Sequence, residues 1–580
     1  AARARAQRLM PEGTLRVEIN APETGFDPVQ VGDQNSARIC SLIFEPPLTY
    51  DYVARPARVV PLTAAALPEV SADFTTFTFR IRPGIFFADD PAFKGRPREL
   101  VAQDYVYSIK RYYDPKLKSE NLYVWENAKL LGLSELRNEA IRNKAPFDYD
   151  REVEGLRALD RYTFRVRLGA PDPRFHLQFA TGAGAVALAR EVVEAYGEDI
   201  RAHPVGTGPY RIAAWQRGSR ITLERSPTHR KRHFDGQPAE GDTMAQRIAA
   251  ELAGARLPVA DRIEVAVIEE SQPAWLAFVG GELDLLRVPS DFNAVAAPGG
   301  RIAPHLELRG IRLQVSLQAD MTMTYFNMEH PVVGGTTPEK VALRRAIALA
   351  YDCGEELRLV RANAGMPAQS VIPPFTSAYD PAYRSEMSEF SPARAKALLD
   401  LYGYVDRNGD GWRENPDGSP LVLRLASLTN QRERRLNELW RRHMARVGLR
   451  IEFDLGTWGD LLKRSLAGSL MMWGFSWAAG TPDSSFFLGM AYGPNAGGSN
   501  DARFSYAPFD RLYERQQRLP DGPERLAVMQ RARDLLVAQM PYKVRLHNIY
   551  NDLVQPRVRG YWRHPFLRDE WMYAGVDATA

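Results

Sequence analysis

Oxygen-bearing side chains recur at alternate positions near residue 410, where they could bind a divalent cation. Asp406, Asn408 and Asp410 are followed by Gly411, and Asp417 stands at the twelfth position of the same stretch. This order follows the first half of a calcium-binding EF-hand loop, in which oxygen ligands alternate and a glycine provides the bend. The twelfth residue is shorter than the usual glutamate, and no pair of flanking helices is evident. We therefore favour an ordinary hairpin turn with no metal, and calcium is the alternative.

The histidines give little indication of metal binding or acid–base catalysis. His229 and His233 are four residues apart, but the three residues between them are all basic and would repel a cation. The motifs G-x-S-x-G, H-E-x-x-H, G-x-x-x-x-G-K-[ST] and C-x-x-C are absent from the sequence. The sequence therefore predicts a protein that is not an enzyme. The absence of these motifs does not exclude a hydrolase that uses two carboxylates, which stays open as the alternative.

Aromatic residues concentrate in the segment 470–488, LMMWGFSWAAGTPDSSFFL. They are Trp473, Phe475, Trp477, Phe486 and Phe487. Flat rings beside glycine and proline suit the wall of a cleft, where they can cover a flexible ligand. Some of these rings must instead belong to a hydrophobic core. We predict that the segment forms part of a ligand site.

Length and composition describe a globular protein of several domains. The chain has 580 residues, which is too long for one hydrophobic core, and 45% of them are hydrophobic. Its net charge of +4 arises from 75 basic and 71 acidic residues, so no nucleic acid partner is indicated. The sequence contains no run of 18 apolar residues, so no transmembrane helix is predicted. Cys40 and Cys353 are too few for a disulfide framework, and we interpret them as free and buried.

The segment 205–225, VGTGPYRIAAWQRGSRITLER, predicts a glycine-rich turn followed by a β-hairpin. Gly206, Gly208 and Pro209 mark the first turn. Gly218 supplies a positive φ in the second turn, between two strands of alternating character. This segment resembles the signature of the large periplasmic solute-binding proteins of ABC importers, in the oligopeptide- and dipeptide-binding family.

Further motifs that resemble this family follow in the family's order along most of the chain. They are Phe26-Asp27-Pro28, Ile43-Phe44-Glu45, the strand and turn 73–87, the strand 160–168, Tyr325-Phe326-Asn327 and the amphipathic helix 338–352. Pro46-Pro47 stands where the family has a glycine. The order of the matches makes coincidence a poor explanation.

The resemblance implies an α/β, two-lobed periplasmic-binding-protein fold of the large class II, or cluster C, type, with an extra subdomain in the first lobe. We expect lobe I to comprise residues 1–45, 205–315 and 541–580. The extra subdomain is expected at 46–204, and lobe II at 316–540.

The resemblance also implies a function in transport. The protein is expected to capture a peptide or peptide-like solute between two lobes by hinge closure and to deliver it to an ABC permease in the inner membrane. A periplasmic monomer without a cofactor is expected, with its signal peptide already removed. The alternatives are a non-peptide solute (an opine, a metal chelate, haem or an oligosaccharide), a receptor or chaperone outside transport, and a carboxylate-dependent hydrolase.

Ala478 is the main departure from the family. Aligned on Gly474 and Pro482-Asp483, it stands where peptide-binding members have an aspartate that pairs with the free amino group of the peptide. Because a buried ammonium without a partner is costly, either the ligand lacks that group or another carboxylate supplies the charge. Asp27, Glu45 and Asp483 are the candidates for that carboxylate. The predicted ligand-binding residues are Glu45, Trp473, Phe475, Ser476, Trp477, Ala478 and Asp483.

Overall fold

The computed structural model describes residues 13–181 and 184–577. Within these residues the chain forms 17 α-helices and 22 β-strands. The helices are α1 Gln34–Ile43, α2 Ala102–Tyr113, α3 Leu122–Ala128, α4 Leu133–Asn143, α5 Arg190–Tyr196, α6 Thr243–Glu251, α7 Ser271–Val279, α8 Asn293–Ala296, α9 Pro304–Glu307, α10 Pro338–Ala350, α11 Cys353–Leu359, α12 Pro392–Leu401, α13 Gln431–Arg446, α14 Trp458–Leu466, α15 Ser485–Gly489, α16 Ala507–Arg518 and α17 Pro523–Gln539.

The strands are short, apart from one long strand near the end of the chain. They are β1 Thr14–Ile19, β2 Leu48–Tyr50, β3 Val59–Pro61, β4 Glu69–Val70, β5 Thr76–Arg80, β6 Leu156–Ala158, β7 Thr163–Arg167, β8 Tyr210–Gln216, β9 Arg220–Arg225, β10 Arg232–His233, β11 Arg256–Leu257, β12 Arg262–Val267, β13 Leu285–Arg287, β14 Arg312–Leu317, β15 Asp320–Phe326, β16 Gly365–Pro367, β17 Val422–Leu428, β18 Arg450–Gly456, β19 Met472–Ala478, β20 Tyr542–Val554, β21 Val558–Arg559 and β22 Gly575–Val576. Among the residues described, no helix combines the length and the apolar character that a membrane span requires.

The chain divides into two compact units, and each is built from separate segments. Unit 1 contains the described residues of Ala1–Phe292, Ile302–Gln314 and Asp552–Ala580, and unit 2 contains Asn293–Arg301 and Val315–Asn551. The chain therefore passes from one unit to the other four times. The extra subdomain expected at 46–204 stays a prediction.

Unit 1 has a four-stranded sheet in the order β1, β12, β9, β8, in which β1 and β12 are parallel. Leu15 and Val17 of β1 are buried and alternate with more exposed charged residues, as expected for a strand with one face on the core. The hydrophobic core joins distant segments of the chain, because it also contains Ile263, Val554 and Tyr573. Residues from both ends of the described chain thus complete one core.

The predicted hairpin at 205–225 is confirmed as β8 and β9, which pair antiparallel. Gly218 in the connecting turn has φ of 64°, the left-handed region that glycine adopts without strain.

The glycine-rich turn before β8 packs against the end of helix α1. The amide of Gly208 donates to the carbonyl oxygen of Ile43 at 2.8 Å. A Cβ atom on Gly206 would lie only 2.0 Å from that same oxygen, so the approach requires a residue without a side chain. Between the two glycines, the Thr207 hydroxyl donates to Glu45 Oε2 at 3.2 Å. The signature segment therefore acts as a scaffold contact.

Unit 2 contains the strands β20, β15, β19, β17 and β18 in that order, with residues 542–551 of β20 belonging to this unit. β15 and β19 run antiparallel, whereas β17 and β18 are parallel. Helix α13 packs against β17 and β18. The predicted amphipathic helix at 338–352 is confirmed as α10, which begins at Pro338, the position where proline suits a helix.

Both cysteines are free and buried, as expected from the sequence. Cys40 lies in unit 1 and Cys353 in unit 2. Burial raises the pKa of each thiol, so neither is activated as a thiolate.

Candidate functional site

Strand β19, Met472–Ala478, presents different residues on its two faces. It pairs with β15 so that Trp473 lies opposite Tyr325, whereas Ala478 lies opposite Asp320. Because side chains alternate along a strand, the predicted aromatic residues lie on one face and Ser476 and Ala478 on the other. The structure therefore separates two groups of residues that were predicted to act together.

The aromatic face packs within unit 2. Trp473 is buried, and its ring centroid lies 4.7 Å from that of Phe475 and 5.1 Å from that of Trp458 in helix α14. Trp477 lies 6.0 Å from Phe475. Tyr325 also belongs to this face, and its hydroxyl lies 2.8 Å from Ser465 Oγ in α14. A helix of the same unit thus packs on this face, where Trp473 is buried, Phe475 and Trp477 are half-buried and Trp458 is exposed, and the role of these rings in binding stays a prediction.

Asp501 is a buried carboxyl on the aromatic side of β19. Burial raises its pKa to about 7, and the Ser465 hydroxyl, which donates to Oδ1 at 3.3 Å, offsets this only in part. The indole N–H of Trp477 also lowers the pKa, although it lacks the geometry of a full hydrogen bond. The carboxyl is therefore partly protonated at neutral pH.

Replacing Asp501 with asparagine should raise the free energy of unfolding by about 1–2 kcal/mol at pH 8. The folded-state pKa lies above that of the unfolded chain, so the native carboxyl costs stability as the pH rises from about 4 to 7. Asparagine carries no charge, and the Ser465 hydroxyl can rotate to accept from it. Urea unfolding at pH 8 and pH 5 measures the effect. An equal gain at both pH values would contradict this explanation.

The other face of β19 carries polar groups and is open at the end of the strand. Ser476 and Ala478 are exposed. Ser476 Oγ lies 2.7 Å from Thr322 Oγ1, which also accepts from Asn548 Nδ2 at 3.1 Å. Hydroxyl and amide groups of this kind can pair with the peptide groups of a bound solute.

Asp320 lies beside this open end of the strand. Its Oδ1 accepts from the backbone amide of Asn548 at 2.8 Å, and its Oδ2 accepts from Asn548 Nδ2 at 2.7 Å. Burial raises the pKa of Asp320 to about 6, although both hydrogen bonds oppose the shift. Among the described residues, no cationic side chain forms a salt bridge with this carboxylate.

A group of charged residues in the interior of unit 2 lies next to Asn548. Arg361 Nη1 donates to Asn548 Oδ1 at 3.4 Å, and its Nε donates to Glu356 Oε1 at 2.9 Å. Arg545 donates to the other oxygen of Glu356 at 2.6 Å, and the Tyr351 hydroxyl donates to it at 2.8 Å. Burial opposes ionisation of Glu356, but the two arginines outweigh it and lower the pKa to about 2. The glutamate therefore stays ionised at physiological pH.

Three carboxylates are candidates for the negative charge that is missing at Ala478, and each of them pairs with an arginine. Asp27 forms two hydrogen bonds with Arg111, at 2.8 and 2.9 Å, and both residues are buried in unit 1. Glu45 accepts from Arg230 at 2.7 Å, also in unit 1. Burial opposes ionisation of Glu45, but Arg230 and His229 hold its pKa far below the usual range.

Asp483 has a similar structural environment in unit 2. Its Oδ2 lies 2.7 Å from Arg525 Nη2, and its Oδ1 accepts from the amide of Ser485 at 2.7 Å, at the start of α15. The side chain therefore anchors this short helix. Asp27, Glu45 and Asp483 each have a cationic partner already, and their role in binding stays a prediction.

The acidic loop near residue 410 is held together by its own side chains. Asp406 accepts from the amides of Gly409 and Gly411 at 2.7 and 2.9 Å, and Asn408 accepts from that of Asp410 at 2.8 Å. These bonds are typical of turns.

Three carboxylates of this region lie close together. Oxygens of Asp406, Asp410 and Glu414 lie within 4.8 Å of one another. Asp417 accepts from Ser419 in the following turn instead. Calcium binding by the predicted set stays a prediction.

Asp320, Asn548 and Arg361 were not predicted from the sequence. A signal was present in the sequence DMTMTYF of β15, where polar residues alternate with methionine and tyrosine. Such alternation indicates a strand with one polar face, even though every residue of this strand is buried.

Comparison with known proteins gives consistent matches along the chain. The family model described as "Bacterial extracellular solute-binding proteins, family 5 Middle" matches residues 58–499. Di/tripeptide-binding protein 2 of Pseudomonas aeruginosa (strain UCBPP-PA14) is 24% identical, covering 97% of this chain and 95% of the relative. Heme-binding protein A of Haemophilus influenzae is 23% identical, covering 88% of this chain and 83% of the relative.

A solved structure has the same fold. It is the ABC transporter-associated periplasmic binding protein DppA from Helicobacter pylori, in complex with the peptide STSA. The TM-score is 0.73 at 19% identity, and the match covers 98% of both chains. It confirms the predicted α/β fold.

Proposed function

The chain belongs to the bacterial extracellular solute-binding proteins of family 5, and from this membership we propose that its solute is a short peptide or a peptide-like molecule. The family match over residues 58–499 is the observation that carries the proposal. A relative that covers nearly the whole chain is named for binding di- and tripeptides. The protein would act outside the cytoplasm and pass its solute to the permease of an ABC importer.

The polar face of β19 suits a peptide. Ser476 offers an exposed hydroxyl group, which lies 2.7 Å from the buried hydroxyl of Thr322, and Thr322 in turn accepts from the Asn548 amide. A peptide main chain alternates donors and acceptors, so groups that serve as either can pair with it. The exposed position of Ser476 leaves this face accessible at the end of the strand.

Closure around the solute would require the connections between the units to flex. Between the first and the second crossing from one unit to the other lies only the short segment Asn293–Arg301. The other two fall inside the strands Arg312–Leu317 and Tyr542–Val554. We place the hinge at these connections, because a few residues at such positions can absorb the change in backbone angles.

Haem is the second candidate solute. Its support is the relative from Haemophilus influenzae, which is named for binding haem. A bound haem would give a strong visible absorption band, whereas a bound peptide would give none.

Native mass spectrometry of the protein purified from a periplasmic extract tests the proposed function. We expect a noncovalent complex that releases a peptide of unchanged mass on denaturation. Calorimetric titration with Ala-Leu, Met-Leu and Ala-Ala-Ala then measures affinity. Failure of all three peptides to bind, or cleavage of a peptide by the protein, would contradict the proposal.

A further inference from the structure

A cavity of about 200 Å³ lies in unit 2, between strand β16, the loop that follows it and helix α17. Its rim is exposed at Pro367, Asp380 and Arg384, whereas Arg533 and His547 in its wall are buried. A cavity of roughly 150 Å³ is large enough for benzene, so this one has room for a small organic molecule. The buried wall carries the polar groups that would select that molecule.

We propose that this cavity is a binding site for a small organic carboxylate that also carries a hydroxyl group. The site goes beyond the proposed function, because it lies on the other side of strand β20 from Asn548 and the polar face of β19. His547 and Asn548 are consecutive in β20, so their side chains point to opposite faces. Met366 lies directly opposite His547 in β16, and both residues line the cavity.

His547 provides a hydrogen-bond acceptor in the buried wall. Its Nδ1 lies 2.5 Å from the backbone oxygen of Asp320, and this nitrogen carries the proton because a carbonyl oxygen can only accept. Burial lowers the pKa of the ring to about 4, so the ring is neutral at physiological pH and Nε2 keeps its lone pair. Among the described residues, none donates a hydrogen bond to Nε2. A hydroxyl group of the ligand can fill this place.

Arg533 in helix α17 provides the charge for a carboxylate. Its guanidinium stacks on the Tyr383 ring, with Cζ 3.4 Å from the ring centroid. Asp534 accepts from Arg533 Nε at 3.0 Å and lies 2.9 Å from Nη2, which leaves Nη1 without a bond to the described residues. The Asp534 side chain is 55% exposed and that of Arg533 only 8%, so water screens the carboxylate more than the guanidinium.

Two hydroxyl groups of the wall are available as donors to the same anion. Ser370 is buried, and its Oγ accepts from the amide of Ile372 at 3.1 Å, which leaves the hydroxyl proton for a ligand. The Tyr379 ring stands edge-on to His547, with centroids 6.4 Å apart. Its hydroxyl has no hydrogen-bond partner in the described part of the chain. Donors and one acceptor thus line a single cavity.

The rim adds a second cation and one acidic side chain. Arg384 Nη1 donates to the carbonyl oxygens of Pro381 and Tyr383, each at 2.8 Å, which holds the guanidinium at the opening. Asp380 is exposed, and its Oδ1 accepts from the amide of Ala382 at 2.8 Å. Because water screens this carboxylate, the buried guanidinium dominates the electrostatics inside the cavity, which favours an anion.

Calorimetric titration of the full chain at pH 7.5 tests the inference with two series of compounds. One series is 4-hydroxybenzoate, benzoate and 4-hydroxybenzamide, and the other is lactate, propionate and lactamide. In each series the second compound lacks the hydroxyl group and the third lacks the charge. We expect one of the two hydroxy acids to bind, about threefold to tenfold more tightly than the analogue without the hydroxyl and at least about tenfold more tightly than the amide.

Three variants locate the binding site. Arg533→Met should weaken binding of the hydroxy acid by about tenfold to hundredfold, because it removes the buried charge. Arg531→Met makes the same change of charge at an exposed position of the same helix, and it should leave the affinity unchanged. Tyr379→Phe removes one hydroxyl and no internal hydrogen bond, so it should fold normally and weaken binding by about threefold to tenfold.

The comparison between compounds is made within the wild-type protein, so it holds even if Arg533→Met does not fold. The inference is wrong if neither hydroxy acid binds, if both analogues bind as tightly as the hydroxy acid, or if Tyr379→Phe keeps the wild-type affinity. Peptide binding is measured in separate titrations, so either proposal can fail while the other stands.

Discussion

Replacing Glu356 with glutamine should lower the free energy of unfolding of unit 2 by about 3–5 kcal/mol, since it leaves buried arginines without their counter-charge. Glu356 is fully buried, and Arg361 and Arg545 both pair with it. Urea unfolding followed by tryptophan fluorescence measures the loss. The folded-state pKa is lowered to about 2, so the stabilisation is present above pH 4.5 and is lost as the pH falls through 2. The difference between the two proteins should therefore shrink in acid.

The neighbouring residue provides a matched control. Glu355 pairs with Arg442 and His443, but its side chain is 22% exposed. Water and salt screen the pair with the half-exposed Arg442, and a glutamine can still form a hydrogen bond with the buried His443 ring, so Glu355→Gln should cost less than about 1 kcal/mol. Equal losses for the two variants would show that burial between arginines is not what makes Glu356 important.

Replacing Gly206 with alanine should destabilise unit 1 by about 3 kcal/mol, near the upper end for overpacking. The new Cβ would meet the carbonyl oxygen of Ile43 at 2.0 Å and its carbon at 2.8 Å. Both atoms belong to the backbone, so they cannot rotate away as a side chain would. On its other side, the Gly206 carbonyl accepts from the amide of Ala88 at 2.9 Å, which restricts movement of the turn.

Gly169 provides the comparison for this prediction. It lies in the same unit, and a Cβ there would meet Leu131 and Lys129 at 3.4 and 3.5 Å, an ordinary contact distance. Gly169→Ala should change the thermal unfolding temperature little. If Gly206→Ala were equally mild, the close packing of the turn on helix α1 would not be required for stability.

Local patterns in the sequence predicted several elements well. The hairpin at 205–225 followed from glycine positions and from alternation between apolar and polar residues, both of which act within a few residues. Helix α10 followed from the amphipathic spacing of its apolar residues. Each depends on physical effects that neighbouring residues exert on one another, so a single sequence contains the necessary information.

The candidate site depends on contacts between distant residues. Binding by Ser476 and Ala478 stays a prediction, and Asp320 lies opposite Ala478 only through a strand pairing that joins residues more than 150 positions apart. Register between such strands follows from the packing of the whole sheet. The sequence alone also does not show that the aromatic residues of β19 lie on the opposite face of the strand from Ser476 and Ala478, and their role in binding stays a prediction.

The chain order of unit 1 has a consequence for how the protein is made. Strand β13 of this unit pairs with residues 552–554, and Tyr573 stacks on Tyr52 with ring centroids 3.9 Å apart. A ribosome therefore completes nearly all of unit 2, most of which is the continuous segment Val315–Asn551, before the last part of unit 1 exists. Unit 1 therefore cannot finish folding until its last segment has been made, and the apolar surface of its earlier segments stays exposed until then. A premature stop codon near residue 550 would leave unit 2 almost intact and unit 1 without the residues that close its core.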